Sequence, residues 1–171
     1  IDYETYNKTA STMTYFLTPA TVCLAVPLYR QVEVLKKNLF AVLVGIFCGC
    51  LAHLIVIGGL GYLLQVDSVL IRSLLSKSVT MPIALGITGE VGGIPSLTVL
   101  GVMMAGLLGA VLGPKLLGLF RITDPSSQGL GIGTASHAVG TSKAIELGEV
   151  QAAMSSLSII VTGIMTVVLV P

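Results

Sequence analysis

The sequence predicts an all-α integral membrane protein, multi-pass, with broken or re-entrant helices and the inverted-topology repeats that recur in secondary transporters. Three observations predict it. Hydrophobic residues make up 54% of the chain and charged residues 10%, against about a quarter charged in soluble domains, and the mean hydropathy is +0.96. Leu39–Leu64 is an uncharged apolar run longer than the roughly 20 residues that cross a bilayer core. Gly129–Glu149, GLGIGTASHAVGTSKAIELGE, is rich in glycine and polar side chains inside an otherwise oily chain. Polar, irregular backbone at membrane depth is tolerated where protein buries it or where it lines a wet cavity. The alternative for that stretch is an extramembrane loop.

Taken in order, Ile1–Ser11 reads as a polar surface lead-in, and Met13–Tyr29 as a bent or re-entrant apolar segment carrying Pro19 and Pro27, because interior prolines kink helices. The chain opens without methionine and closes at Pro171 straight after an apolar run, so both ends are expected to be limits of a longer protein. Arg30–Asn38 reads as a basic surface loop. In Leu39–Leu64, Gly45 and Gly49 form a small-xxx-small pair suited to close helix contact, and His53 reads as a packed, hydrogen-bonded histidine. Gln65–Thr80 alternates apolar and polar residues at helical spacing and is expected to lie along the interface. Met81–Pro95 breaks at Gly89, Gly92 and Gly93 around Glu90 and is short enough to be re-entrant. Ser96–Gly113 is a glycine-rich span stopped by Pro114, Lys115–Gln128 a charged connection, and Val150–Val170 the last span. Cys23, Cys48 and Cys50 read as packing residues, with Cys48 and Cys50 on different faces.

Loop charge sets the orientation. Arg30–Lys37 and Lys115–Arg121 are the basic connections, and the positive-inside rule puts both on the cytoplasmic side. Met81–Pro95 then enters and returns on the outside, and Gly129–Glu149 dips in from the cytoplasm. Sliding the chain by 57 positions sets Pro114 on Pro171, Gly106 on Gly163, Val111 on Val168 and Leu112 on Leu169. A slide of 56 sets Glu90-Val91-Gly92 on Glu146-Leu147-Gly148. These echoes divide one membrane domain into an N-terminal part (1–64), a first unit (65–114) and a second unit (115–171).

No metal-ligand spacing, cofactor motif or basic run for nucleic acid is present, and the net charge is +1. Gly131-x-Gly133-x-x-Ser136 lacks the strand a dinucleotide fingerprint needs. Gly140-Thr-Ser-Lys143 has the wrong order for a phosphate loop, and Ser136 beside His137 has no orienting carboxylate. An enzyme is not expected. A small organic anion fits better: half-helix N-termini offer unpaired N–H groups and a positive dipole end. The candidate substrate-binding residues are Lys77, Ser78, Thr80, Glu90, Ser96, Thr134, Ser136, His137, Thr141, Ser142 and Lys143. Ser136 and Thr141 are expected to donate to the anion beside His137, and Lys143 with Glu146 reads alternatively as an interfacial ion pair.

Lys77-Ser78-Val79-Thr80-x-Pro82-Ile83-Ala84, Gly92-Gly93-Ile94-Pro95-Ser96-Leu97-Thr98 and Gly133-Thr134-Ala135-Ser136-His137-Ala138-x-Gly140-Thr141 resemble the signatures of the LrgB/CidB family. So does the run from Pro19 to Tyr29. The resemblance covers nearly the whole chain, with departures at Ser76 and Met81. It implies further hydrophobic segments ahead of Ile1, and a home in the bacterial cytoplasmic membrane, or the plastid inner envelope in a eukaryote. It also implies one of two functions. One is transport of small monocarboxylates of the pyruvate, glycolate and glycerate type, which the hydroxyl-rich broken segments favour. The other is antiholin- or holin-like regulation of murein hydrolase activity and lysis, acting with a small LrgA/CidA-type membrane partner. A homo-oligomer, dimer or higher, is expected.

Overall fold

The computed structural model describes residues 29–30 and 32–170. The lead-in, the proline-kinked segment and Cys23 lie outside them. All regular structure among the described residues is helical: α1 (Val32–Leu63), α2 (Ser68–Leu74), α3 (Met81–Glu90), α4 (Pro95–Leu119), α5 (Pro125–Leu147) and α6 (Glu149–Leu169). Three of these are long and apolar enough to cross a membrane: α1 over Leu39–Leu63, α4 and α6. An all-α membrane protein is therefore the fold.

Helix ends follow local chemistry. Proline stands in the first turn of α3, α4 and α5, where its missing N–H has no helical partner to lose. Asp124 caps α5, its Oδ2 accepting from Ser127 N at 2.7 Å. That bond to the exposed carboxylate holds the Asp124 pKa below its ordinary value. Helices α1, α3 and α4 end through left-handed residues Gln65, Gly92 and Arg121. The next amides bond back five residues, Val66 N to Gly61 O, Gly93 N to Thr88 O and Ile122 N to Leu117 O, each at 2.9 Å, a Schellman closure.

Neighbour contacts fix the directions. From the C-terminal end of α1, α2 turns back along it: an added Cβ on Gly61 would strike Ile71, and His53 Nε2 meets Leu75 O at 2.9 Å. The chain turns over Leu75–Thr80, and α3 retraces the path, bringing Thr88 to Ser76. Thus α2 and α3 form a hairpin whose tip reaches the middle of the α1 span. Helix α4 then runs the whole way back.

Helix α5 is a second hairpin. At His137 the backbone leaves helical geometry (φ 43°, ψ −139°). A Cβ on Gly140 would lie 3.1 Å from Ile132 O, whereas positions eight apart on a straight helix are roughly 12 Å apart. The two arms therefore fold on each other. The first arm runs parallel to α6, with Gly129 against Gln151 and Met154, and Gly133 against Ser155 and Ser158. From the return arm, Thr141 reaches the same Ser155 at 2.7 Å. The two hairpins thus enter from opposite ends of the bundle. Ser68 and Pro125, where they begin, and Glu90 and Leu147, where they finish, are each 57 positions apart.

Several sequence expectations are corrected. The re-entrant element at the far end is Ser68–Glu90, not Met81–Pro95. The glycines at 92 and 93 close α3 at the surface, while the deep turn lies in the Ser-Lys-Ser stretch ahead of Pro82. Gln65–Thr80 is not an interfacial amphipathic helix, since Ser73 and Ser76 are buried. Pro114 does not stop its span; α4 continues to Leu119, because one missing N–H is tolerated where other bonds hold the helix. The basic stretch before Leu39 is helical from Val32 rather than a loop. In the small-residue pair, Gly49 contacts Thr134, whereas nothing lies within 4 Å of a Cβ on Gly45.

Candidate functional site

The two hairpin tips meet at mid-span. Gly101 of α4 packs on the Lys77 stem, with 3.4 Å between its added Cβ and Lys77 Cβ. One residue on, Val102 O lies 2.9 Å from His137 Nε2. A carbonyl inside a helix can take this second partner because Gly106, four residues later, has no side chain: its Cβ would sit 2.9 Å from His137 Cε1. One turn further along, a Cβ on Gly109 would overlap Ser136. The tip of α5 is thus seated in a glycine notch of α4. His137 occupies a left-handed conformation suited to the first central residue of a type II′ turn, where glycine is the usual occupant.

Two cavities converge on this point. One, about 610 Å³, lies between α1 and the first arm of α5. It runs from Asp124 and Ser127 at the near end to Lys77, Ser78, His53 and Thr134 at depth. The other, about 420 Å³, lies between α4 and the opposite side of the same arm, and Lys77 again stands at its deep end. Gly131 and Ala135 line both. Lys77 is half-buried and forms no ion pair among the described residues; the pair present there is Lys143 with Glu146. Around Lys77 the helix ends add positive character. The N-terminus of α3 and that of the α5 return arm both lie at the tips, and Thr80, the N-cap of α3, makes no capping side-chain bond. Unpaired N–H groups with a positive dipole end suit an anion.

A buried hydroxyl chain holds the first hairpin behind Lys77. Thr98 Oγ1 lies 2.8 Å from Ser73 O and 2.8 Å from Thr88 Oγ1, which lies 3.3 Å from Ser76 Oγ. Each hydroxyl has one proton to give. Thr98 gives its proton to the Ser73 carbonyl, while Thr88 has both Ala84 O at 2.7 Å and Thr98 Oγ1 as acceptors. Ser73 Oγ in turn accepts from Ile94 N at 2.7 Å, tying the surface turn to the tip.

Of the residues singled out in the sequence, Lys77, Ser78 and Thr134 share the larger cavity, and Ser136 joins Lys77 in the smaller one. Thr80 caps α3 beside them. His137 is buried on Val102, and Thr141 is engaged by His137 O and Ser155 Oγ. Glu90 and Ser96 are exposed at the far end, flanking the turn between α3 and α4. Ser142 is exposed and bonds within its own helix to Ala138 O, and Lys143 pairs with Glu146 on the surface. Sequence reasoning missed His53 as a cavity-lining residue and missed the Ser73–Ser76–Thr88–Thr98 chain. The signal for Ser73 and Ser76 was hydroxyls on the buried side of a stretch read as amphipathic.

Over residues 1–171 the chain matches the LrgB-like family. It is 38% identical to the "Antiholin-like protein LrgB" of Bacillus cereus (strain B4264) over 169 residues, which is 99% of this chain and 74% of the relative. The protein of the same name from Bacillus anthracis (strain CDC 684 / NRRL 3495) matches at the same identity and coverage. No solved structure matches significantly. A whole-chain family match together with this identity establishes that the chain belongs to the LrgB-like family.

Proposed function

We propose that this chain is a non-enzymatic, antiholin-like protein of the bacterial cytoplasmic membrane. In this reading it regulates murein hydrolase activity and lysis together with a small LrgA/CidA-type partner. The observation that carries this reading is the 38% identity, over 99% of the chain, to proteins named antiholin-like. The broad apolar faces of α1 and α4, with Phe40, Phe47, Met103 and Leu107 exposed, are compatible with lipid, with a partner and with a homo-oligomer.

A second reading is favoured by one specific observation: a half-buried Lys77, with no ion pair among the described residues, at mid-span, in a cavity it shares with His53, Ser78 and Thr134. An unpaired cation at that depth is expensive and by default functional. It supports transport of small monocarboxylates of the pyruvate, glycolate or glycerate type. The 57-position register of the two oppositely directed hairpins supports inverted repeats meeting at a midplane site. One pair of measurements separates the readings. In proteoliposomes, transport predicts saturable uptake of a radiolabelled short monocarboxylate that Lys77→Gln reduces at least tenfold. In cells lacking the native protein, pure lysis regulation predicts that Lys77→Gln restores normal lysis as well as the unaltered chain does. Uptake without saturation and full rescue by Lys77→Gln together rule out the transport reading. Loss of both functions in the variant ties lysis control to the anion site.

A further inference from the structure

The smaller cavity is shaped for something other than a short acid. Along α4 it extends from Ala105 to Phe120, roughly 22 Å at 1.5 Å per residue. A volume of 420 Å³ over that length makes the cavity long and narrow rather than round. An extended acyl chain matches that shape better than a compact short acid does. Its walls are Leu, Ile, Phe, Ala and Gly side chains, and the polar groups are Lys77 and Ser136 at the deep end. Leu108, Leu112 and Leu116 along it are exposed, so on a membrane-spanning helix the groove opens sideways to lipid.

We propose that this groove binds a fatty-acid anion, its carboxylate on Lys77 and its acyl chain lying between α4 and the first arm of α5. Charge complementarity selects the head group, since among the described residues the cation lining the groove is Lys77, at its deep end. The shape favours an extended chain, and the missing side chains of Gly113 on one wall and Gly131 on the other leave space for it: nothing lies within 4 Å of a Cβ on Gly131, and Ile132 is 3.6 Å from one on Gly113. The inference shares Lys77 with the transport reading but uses different walls: Gly113, Leu112 and Leu116 line the groove and not the larger cavity. A fatty acid seated here occupies the same cation a short acid would use, so the two ligands compete.

The test uses the full chain purified in maltoside micelles, with dansyl-labelled undecanoic acid as the fluorescent probe. Dodecanoate should displace the probe at least tenfold better than dodecanol, which has the tail without the charge. Lys77→Gln should weaken probe binding at least tenfold. Gly113→Phe, which fills the groove where a Cβ meets Ile132 at an ordinary 3.6 Å, should weaken it similarly while leaving any short-acid uptake intact. Equal displacement by dodecanol, or unchanged binding in a folded Gly113→Phe protein, overturns the proposal and marks the groove as a lipid- or detergent-filled seam. Dodecanoate binding without any uptake of short acids leaves this site standing and removes the transport reading alone.

Discussion

Two glycines on the first arm of α5, two positions apart, should respond to alanine with opposite signs. Gly131 faces the cavities, and nothing lies within 4 Å of an added Cβ. Gly131→Ala should therefore stabilise by the helix-propensity difference alone, about 0.5–1 kcal/mol. Gly133 faces α6, where a Cβ would overlap Ser158 Oγ and lie 2.5 Å from Ser155 O and 2.7 Å from Ser155 Oγ. Ser155 O is backbone, so relief requires the two helices to separate. Overpacking of this kind costs about 1–3 kcal/mol. Set against the same propensity gain, Gly133→Ala should lose up to about 2.5 kcal/mol. The assay is thermal unfolding followed by far-ultraviolet circular dichroism in one detergent, with both variants and the parent measured together. The expected order is Gly131→Ala, parent, Gly133→Ala. A Gly133→Ala protein as stable as Gly131→Ala would mean that the first arm does not lie along α6, and the hairpin geometry would fall with it.

Three further outcomes follow from the same contacts. His137→Gly should be more stable than His137→Ala by about 1 kcal/mol, because only glycine is at ease at φ 43°; equal stabilities in parallel melts would show an unstrained tip. Thr98→Val should cost about 1–3 kcal/mol by leaving the buried Ser73 carbonyl without its donor, whereas Thr166→Val, whose hydroxyl returns to Thr162 O in its own helix, should be nearly neutral. Asp124→Ala should cost about 0.5–2 kcal/mol at neutral pH. The Asp124 carboxylate has a lowered pKa from its bond to Ser127, so its contribution is complete above the ordinary carboxylate range and fades as the pH falls through the lowered value. A cap cost that does not shrink in acid would contradict that assignment.

Much of this fold could be read from the chain, because lipid imposes simple demands. Leu39–Leu64 has no charge to place, so it spans. Gly129–Glu149 is too polar for lipid, so it turns back inside protein. What could not be read was which glycines break helices at depth. Gly92 and Gly93 look like a mid-membrane break and are a surface cap, because capping depends on where the chain stands in the bundle. The actual deep break falls on His137, a residue that local preference argues against and that the notch at Gly106 and Gly109 accommodates. The hairpin tips bring Lys77, Ser78 and Thr134, all singled out in the chain, to one cavity. Lys143 and Glu146 fit either a site or a surface pair by spacing, and they form the pair; His53 is the packed, hydrogen-bonded residue expected, on Leu75 O, but its place on the cavity depends on α5. Polar alternation in Gln65–Thr80 misled for a physical reason: serine and threonine hydroxyls can face inward when each finds a carbonyl.

The central claim is that the hairpins enter from opposite faces of the membrane and meet at Lys77 and His137. Glu90 and Glu146, both exposed, stand at the outer ends of the two returning arms. With the native cysteines replaced, Glu90→Cys and Glu146→Cys are to be labelled separately by a membrane-impermeant maleimide in intact cells and in inverted vesicles. The account predicts opposite patterns, Glu90→Cys labelled in cells and Glu146→Cys only in inverted vesicles. Labelling of both from the same side would contradict it.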